Sequence, residues 1–362
     1  LIVEDSQVAR DYIQFILESD QGIQVIGAVE NGLKAVEFVK RQIPDVIIMD
    51  IHMPEMDGFE ATRCIMETNP VPIIIVSASY KLNDANKTFK AIEHGAVALI
   101  PKPVSPSRPD YEYTEKNILQ TVKTMSEVKM VKRFPNLQKK AKTTKIKKIE
   151  EGIAKRNIKI IAIGASTGGP LVVKQILSGL PANFSIPIII VQHIATGFTV
   201  GFVEWLNKSS SLNVKIASSG EMIRSGHCYV APDSYHLKVG QNGMIVLNDD
   251  PPVNFLRPSI SCLFDSVADA YGENAVGVLL TGMGADGASE LRKMKDKGAL
   301  TFVQNRESSV IFSMPGEAIK LGAADYVLSP FEIVQMLSDI AERSDFGRLQ
   351  PDGAWENKSV GN

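Results

Sequence analysis

Gly164-Ala165-Ser166-Thr167-Gly168-Gly169 follows directly on the apolar run Ile158-Lys159-Ile160-Ile161-Ala162-Ile163, which sets one serine at the mouth of a buried strand. A serine displayed there can act as a nucleophile, because the glycines let the chain turn sharply and bring backbone N–H groups beside the hydroxyl. A second apolar run, Ile186 to Val191, ends in Gln192-His193, so a histidine reaches the end of what should be a neighbouring parallel strand. Ala275 to Leu280 leads into Thr281-Gly282-Met283-Gly284-Ala285-Asp286-Gly287, where Asp286 occupies a third strand end. A serine hydroxyl is a poor nucleophile until an imidazole accepts its proton and a carboxylate fixes that imidazole. Ser166, His193 and Asp286 are therefore the candidate catalytic residues. The backbone N–H groups of Thr167 and Met283 could face a developing oxyanion, each worth roughly 10² to 10³ in rate.

Blander readings compete at each position. A glycine-rich turn from strand to helix often cradles a dinucleotide, but that use needs an acidic residue at the end of the next strand, where Gln192 and His193 stand. A P-loop needs Lys-Ser or Lys-Thr after the glycines, and here Pro170-Leu171 follows. Asp286 could simply cap a helix starting near Gly287, and Met283 could pack inward from a turn. His227 and His236 precede short runs that read as hairpin strands, where a histidine is commonly half-exposed. The chain order Ser, His, Asp differs from the α/β-hydrolase order, so the Gly-x-Ser-x-Gly match does not argue for that fold.

The first hundred residues carry separate chemistry. Leu1-Ile2-Val3 ends in Glu4-Asp5, and Asp45 to Met49 ends in Asp50, so two strands deliver three carboxylates to one sheet edge. Such a set suits Mg²⁺, beside which Asp50 could accept a phosphoryl group. Ile73 to Val76 ends at Ser77, and Ala98-Leu99-Ile100-Pro101 leads to Lys102, adding a hydroxyl and an ammonium for phosphate oxygens. Strands alternate with amphipathic stretches at Ser6 to Ser19, Leu33 to Arg41 and Gly58 to Thr68. That alternation predicts a doubly wound α/β unit that binds at its carboxyl edge.

Residues 1 to about 103 resemble a response-regulator receiver domain, through Glu4-Asp5-Ser6, Asp50 to Gly58, Ser77-Ala78 and Lys102-Pro103. Residues 157 to about 343 resemble the effector domain of the CheB chemotaxis methylesterases, through Gly164 to Gly169, Gln192-His193, Pro251 to Asn254, Arg257-Pro258-Ser259, Thr281 to Gly287 and Met314-Pro315. The resemblance implies a flavodoxin-like receiver followed by a second doubly wound α/β domain with a mostly parallel sheet and a β-hairpin insertion. It implies that a chemotaxis histidine kinase phosphorylates Asp50, with Glu4, Asp5, Asp50 and the His52 backbone carbonyl around Mg²⁺ and with Ser77 and Lys102 on the phosphoryl oxygens. Ser166, His193 and Asp286 match the family's catalytic residues, and the esterase reaction needs no cofactor. The implied substrates are γ-glutamyl methyl esters on chemoreceptors, and many members also deamidate receptor glutamines. A cytoplasmic monomer working at receptor arrays, without nucleic acid, is expected.

The domain reading is a receiver over 1–105 that lacks a few N-terminal residues, a basic linker over 106–156, a methylesterase domain over 157–343 and a disordered tail over 344–362. At 362 residues, 44% of them hydrophobic, the chain is long enough for two separate cores. The apolar runs are strand-length, short of the roughly 20 residues that cross a bilayer. Cys64, Cys228 and Cys262 are few and scattered, as reduced thiols would be. The net charge of −2 hides thirteen Lys or Arg between Lys123 and Lys159. With few apolar residues this stretch reads as a solvated linker. A grip on DNA phosphates is the alternative, but no helix-turn-helix candidate follows it.

Overall fold

The computed structural model describes residues 1–77, 82–103, 111–128 and 156–346, with side chains described over 1–77, 88–103, 114–128 and 156–343. Five parallel strands form the first sheet: β1 (Ile2–Val3), β2 (Ala28–Val29), β3 (Ile47–Asp50), β4 (Ile73–Ser77) and β5 (Ala98–Pro101), in the order β2-β1-β3-β4-β5. Every residue of β3 and β4 is buried, as continuous apolar runs are when helices cover both faces of a parallel sheet. The amphipathic stretches become α1 (Gln7–Glu18), α2 (Gly32–Arg41) and α3 (Gly58–Thr68). Ser6, Asn31 and Asp57 cap them by accepting the amides of Ala9, Lys34 and Glu60. Next come α4 (Leu82–Glu93) and α5 (Tyr111–Ser126).

One boundary moves. α5 falls inside the stretch read as linker, yet Ile118, Val122 and Met125 are buried with Ile13, Ile16 and Leu17 of α1 and with Ile74 and Ile100 of the sheet. The fifth strand needs a helix to cover it, so the first unit continues past residue 105 to about residue 128. The rest of the basic linker, 129–155, and the tail from 347 lie outside the described residues, while α11 (Pro330–Phe346) runs into the stretch read as tail.

The second sheet has seven strands, all parallel: β6 (Ile160–Ala165), β7 (Ile188–Gln192), β8 (Asn213–Ile216), β9 (His227–Val230), β12 (Ala275–Leu279), β13 (Leu300–Gln304) and β14 (Tyr326–Leu328). Their order is β14-β13-β12-β6-β7-β9-β8. The chain leaves β6 toward β7 and later returns to place β12 on its other side. The carboxyl end of β6 is therefore a topological switch point, where open α/β sheets bind ligands. Between the strands run α6 (Gly169–Gly179), α7 (Thr199–Asn207), α8 (Ile260–Tyr271), α9 (Ala288–Asp296) and α10 (Ser313–Lys320).

The expected hairpin insertion exists as β10 (His236–Val239) paired antiparallel with β11 (Ile245–Asn248). His227 does not belong to it. Residues 217–226 carry the chain back over the sheet edge, so β9 enters parallel between β7 and β8. Nor is His236 half-exposed: it is fully buried, because its imidazole ties two loops together.

The two units pack against each other. Phe89 of α4 stacks on Trp205 of α7 with centroids 5.1 Å apart and lies 5.7 Å from Phe202. Glu93 accepts the Trp205 indole N–H at 2.8 Å and pairs with Lys174 of α6. On α5, the Thr124 hydroxyl donates to the Gln120 carbonyl at 2.7 Å, and its oxygen lies 3.2 Å from Met283 Sδ. Val310 and Ile311 pack against the core of the first unit.

Candidate active site

Ser166 follows β6 and His193 follows β7, and the register pairs Ala165 with Gln192. Parallel strands lie about 4.8 Å apart, so these two residues leave the sheet side by side. Backbone bonds pin both: Ser166 N–H donates to Thr281 O at 3.0 Å, and His193 N–H donates to Ala165 O at 2.8 Å. A Cβ on Gly282 would sit 2.7 Å from Ser166 Cβ, so the loop after β12 needs glycine to pass over the serine. That loop delivers Asp286, whose Oδ2 lies 3.0 Å from His193 Nε2. The two atoms are within ion-pair distance, and Nε2 makes no aligned hydrogen bond. Among the described residues, Ser166 Oγ makes no hydrogen bond and the Thr167 and Met283 amides donate to none.

Asp286 does cap a helix, but not the one that follows it. Oδ1 accepts the Ser259 hydroxyl at 2.8 Å and the Ser261 amide at 3.2 Å, and Oδ2 accepts the Ile260 amide at 2.7 Å, all at the N-terminus of α8. Burial would push this carboxyl up. The His193 contact, Ser261 and the Ile260 amide outweigh burial and hold the pKa down at about 2. The group stays charged and fixed in place, as the partner of an imidazolium must.

On the first sheet, Glu4, Asp5 and Asp50 each place a carboxylate oxygen within 4.8 Å of the others. Lys102 Nζ bridges Glu4 Oε1 and Asp50 Oδ2 at 2.9 Å each. Glu4 Oε2 is buried 2.8 Å from Lys102 Nζ, an ion-pair contact without hydrogen-bond geometry. Burial raises the Glu4 pKa. Burial also opposes the Lys102 charge, but its bonds to Glu4 and Asp50 prevail and raise its pKa. A hard oxygen donor set with an unsatisfied buried oxygen fits Mg²⁺. Ser77, nearly fully buried, ends β4, and its carbonyl accepts the Lys102 amide at 3.1 Å. His52 lies in the loop just past Asp50 with its side chain exposed. Gly58 packs so closely on this loop that a Cβ would fall 1.9 Å from the Asp50 carbonyl oxygen.

Residues 161–337 match the CheB methylesterase family and residues 1–109 the response regulator receiver domain. A protein-glutamate methylesterase/protein-glutamine glutaminase of Geobacter metallireducens is 50% identical over 342 residues, covering 94% of this chain and 98% of the relative. The chain belongs to the CheB methylesterase family. A relative of the same description from Pyrococcus abyssi is 35% identical over 357 residues, 96% of each chain. The crystal structure of the Thermotoga maritima CheB methylesterase catalytic domain shares 38% identity and covers 51% of this chain and 98% of its own, with a TM-score of 0.49.

Three residues of this CheB-family chain escaped the sequence reading of the site. Gln192, 3% exposed, donates its side-chain amide to the carbonyls of both Ser166 and His193 at 2.8 Å each. The signal was a lone amide ending an otherwise apolar strand. Ser259 holds Asp286, and its backbone N–H donates to His236 Nδ1 at 3.2 Å, while His236 Nε2 faces the Pro251 carbonyl at the same distance. That pairing fixes the tautomer with the proton on Nε2. Nothing local in sequence places His236 beside Ser259.

Proposed function

We propose that this chain is a phosphorylation-activated serine esterase of chemotaxis adaptation, which hydrolyses γ-glutamyl methyl esters of chemoreceptors and deamidates particular receptor glutamines at the same site. The observation that carries it is the convergence of Ser166, His193 and Asp286 at one switch point, with His193 Nε2 3.0 Å from a buried, charged carboxylate. The methylesterase and glutaminase names of relatives as much as 50% identical, covering nearly the full chain, support the substrate class.

Ser166 Oγ attacks the ester carbonyl carbon as His193 takes its proton. With Nε2 turned to Asp286, Nδ1 is the accepting nitrogen, and Asp286 stabilises the imidazolium. The Thr167 and Met283 amides, free of other acceptors among the described residues, receive the oxyanion. Collapse breaks the C–O bond to methoxide, which leaves as methanol with the proton from His193. Water then gives a proton to His193 and attacks the acyl carbon; the bond to Ser166 Oγ breaks, His193 returns the proton to Oγ, and glutamate is released. A glutamine amide follows the same route and releases ammonia.

On the receiver, Asp50 attacks the phosphorus of a phosphohistidine on a chemotaxis histidine kinase, whose imidazole leaves. Lys102 moves from Glu4 and Asp50 to the phosphoryl oxygens, joined by the Ser77 hydroxyl. Glu4, Asp5, Asp50 and the His52 carbonyl would hold Mg²⁺, which when bound offsets the charge of the transferred group. In the unphosphorylated state α5 sits on Met283, so the receiver closes the oxyanion side of the cleft. Charge at Asp50 shifts this two-state interface toward release. The chain works as a cytoplasmic monomer, with methyl-accepting chemoreceptors as substrate.

Ser166→Ala tests the reading. Methanol release from methylated receptor membranes should disappear in the variant while receiver phosphorylation persists. Release that survives refutes the assignment, and no release from the unaltered, phosphorylated protein would favour a non-catalytic binding module instead.

A further inference from the structure

Val253 and Leu256 close a two-residue turn in which each backbone N–H donates to the other's carbonyl, at 3.1 and 2.9 Å. The two central residues, Asn254 and Phe255, have φ of +51° and +65°. Positive φ at both positions belongs to the turn that usually carries Asn-Gly. Asparagine suits the first position. An aromatic residue at the second carries the left-handed strain that glycine would avoid. The fold does not compensate for that strain: Phe255 is 86% exposed, more than any other large hydrophobic among the described residues.

The turn is nevertheless held firmly and close to the site. Arg257 donates to the Asp249 and Asp250 carbonyls at 2.7 and 3.1 Å, and His236 holds the Pro251 carbonyl. Ser259, at the end of the same loop, donates to Asp286. Four residues of chain at roughly 3.5 Å each keep Phe255 within about 14 Å of Ser259. The strained aromatic thus stands on a loop whose far end donates to the carboxylate of the site, within about 14 Å of that end.

We propose that Phe255 is an anchoring residue for the protein substrate, receiving an apolar side chain on the surface of the segment whose glutamyl ester enters the cleft. This rests on the esterase reading above. Aromatic side chains, Phe among them, are enriched at interfaces, and one carried on a firmly held turn loses little backbone freedom when it is covered. Its mounting beside the site favours the substrate over a second copy of the chain as the occupant.

The test compares Phe255→Ala and Phe255→Gly with the unaltered full-length protein, each activated by a small phosphodonor. Two substrates are used: methylated receptor membranes and a small soluble glutamyl γ-methyl ester. The expected result is a KM for receptor membranes raised about tenfold or more with kcat held, unchanged hydrolysis of the small ester, and a thermal midpoint for the glycine variant equal to or above that of the parent. An unchanged KM for the membranes overturns the proposal. So does a parallel loss on both substrates, or a lowered midpoint, since these mark a structural role. Failure of the unaltered protein on both substrates defeats the esterase reading itself, and this inference with it.

Discussion

Asp286 Oδ2 lies 3.0 Å from His193 Nε2 and at the same time accepts the Ile260 amide at 2.7 Å, so one oxygen serves both the imidazole and the first turn of α8. Stability and the proposed catalysis therefore share a charge. Because the folded carboxyl titrates near pH 2, below its value in the unfolded chain, it contributes about 2 kcal/mol. That contribution is complete above about pH 4 and is lost as pH falls toward 2. Asp286→Asn should remove it and lower kcat by as much as about 10⁴, as a wrongly held imidazole does. Urea unfolding of parent and variant from pH 6 to pH 2 checks the first part. The stability gap between them should close across the window from pH 4 to pH 2, and a gap independent of pH would count against this role for the charge.

Gln192 separates positioning from stability. Its amide clips the carbonyls that follow Ser166 and His193, while its own Oε1 is buried without a partner. Gln192→Leu removes two hydrogen bonds and an unsatisfied acceptor together; the Ser166 carbonyl keeps the Gly169 amide, so the stability cost should come mainly from the His193 carbonyl and stay within about 1–3 kcal/mol. Small displacements of reacting groups are costly, and kcat should fall about 10- to 100-fold with KM nearly unchanged. Gln192→Glu should be worse, because a carboxylate oxygen would face two carbonyl oxygens. Equal activity in parent and leucine variant would remove Gln192 from the positioning machinery.

The placement of the candidate site was legible wherever a proposed site residue directly ends an apolar run. Ser166, His193, Asp50 and Ser77 each follow or end a buried strand, and strand length together with parallel order brings such ends to one edge. Contacts closed by distant segments were not legible. Asp286 reads locally as a cap for the helix that follows, yet it caps a helix starting at Ile260, brought to it by the sheet order. His236 reads as a half-exposed strand residue because its partners, Pro251 and Ser259, lie 15 and 23 residues away. α5 falls in the stretch read as linker because polar residues fill most of it, and among its described side chains the buried hydrophobic ones are Ile118, Val122 and Met125.

The contact between receiver and effector offers a direct handle on gating. Glu93 accepts the Trp205 indole N–H at 2.8 Å and pairs with Lys174, whose ammonium also lies 4.7 Å from the Trp205 ring centroid. The Glu93 and Lys174 side chains are partly exposed, so solvent screens the ion pair and the indole bond carries most of the effect. Removing the carboxylate should weaken the closed arrangement by about 0.5–1.5 kcal/mol. Since about 1.4 kcal/mol is a factor of ten in an equilibrium, Glu93→Ala should raise the basal esterase rate of the unphosphorylated protein about 2- to 10-fold. The phosphorylated rate should stay the same, because in that state the contact is already open and a ligand or modification shifts only what remains closed. Removing residues 1–150 carries the same logic further and should give a basal rate at least that of the variant. Methanol release before and after phosphodonor addition measures all of these. If Glu93→Ala lowered the basal rate, or raised both rates by the same factor, this interface would not be the one that gates the site.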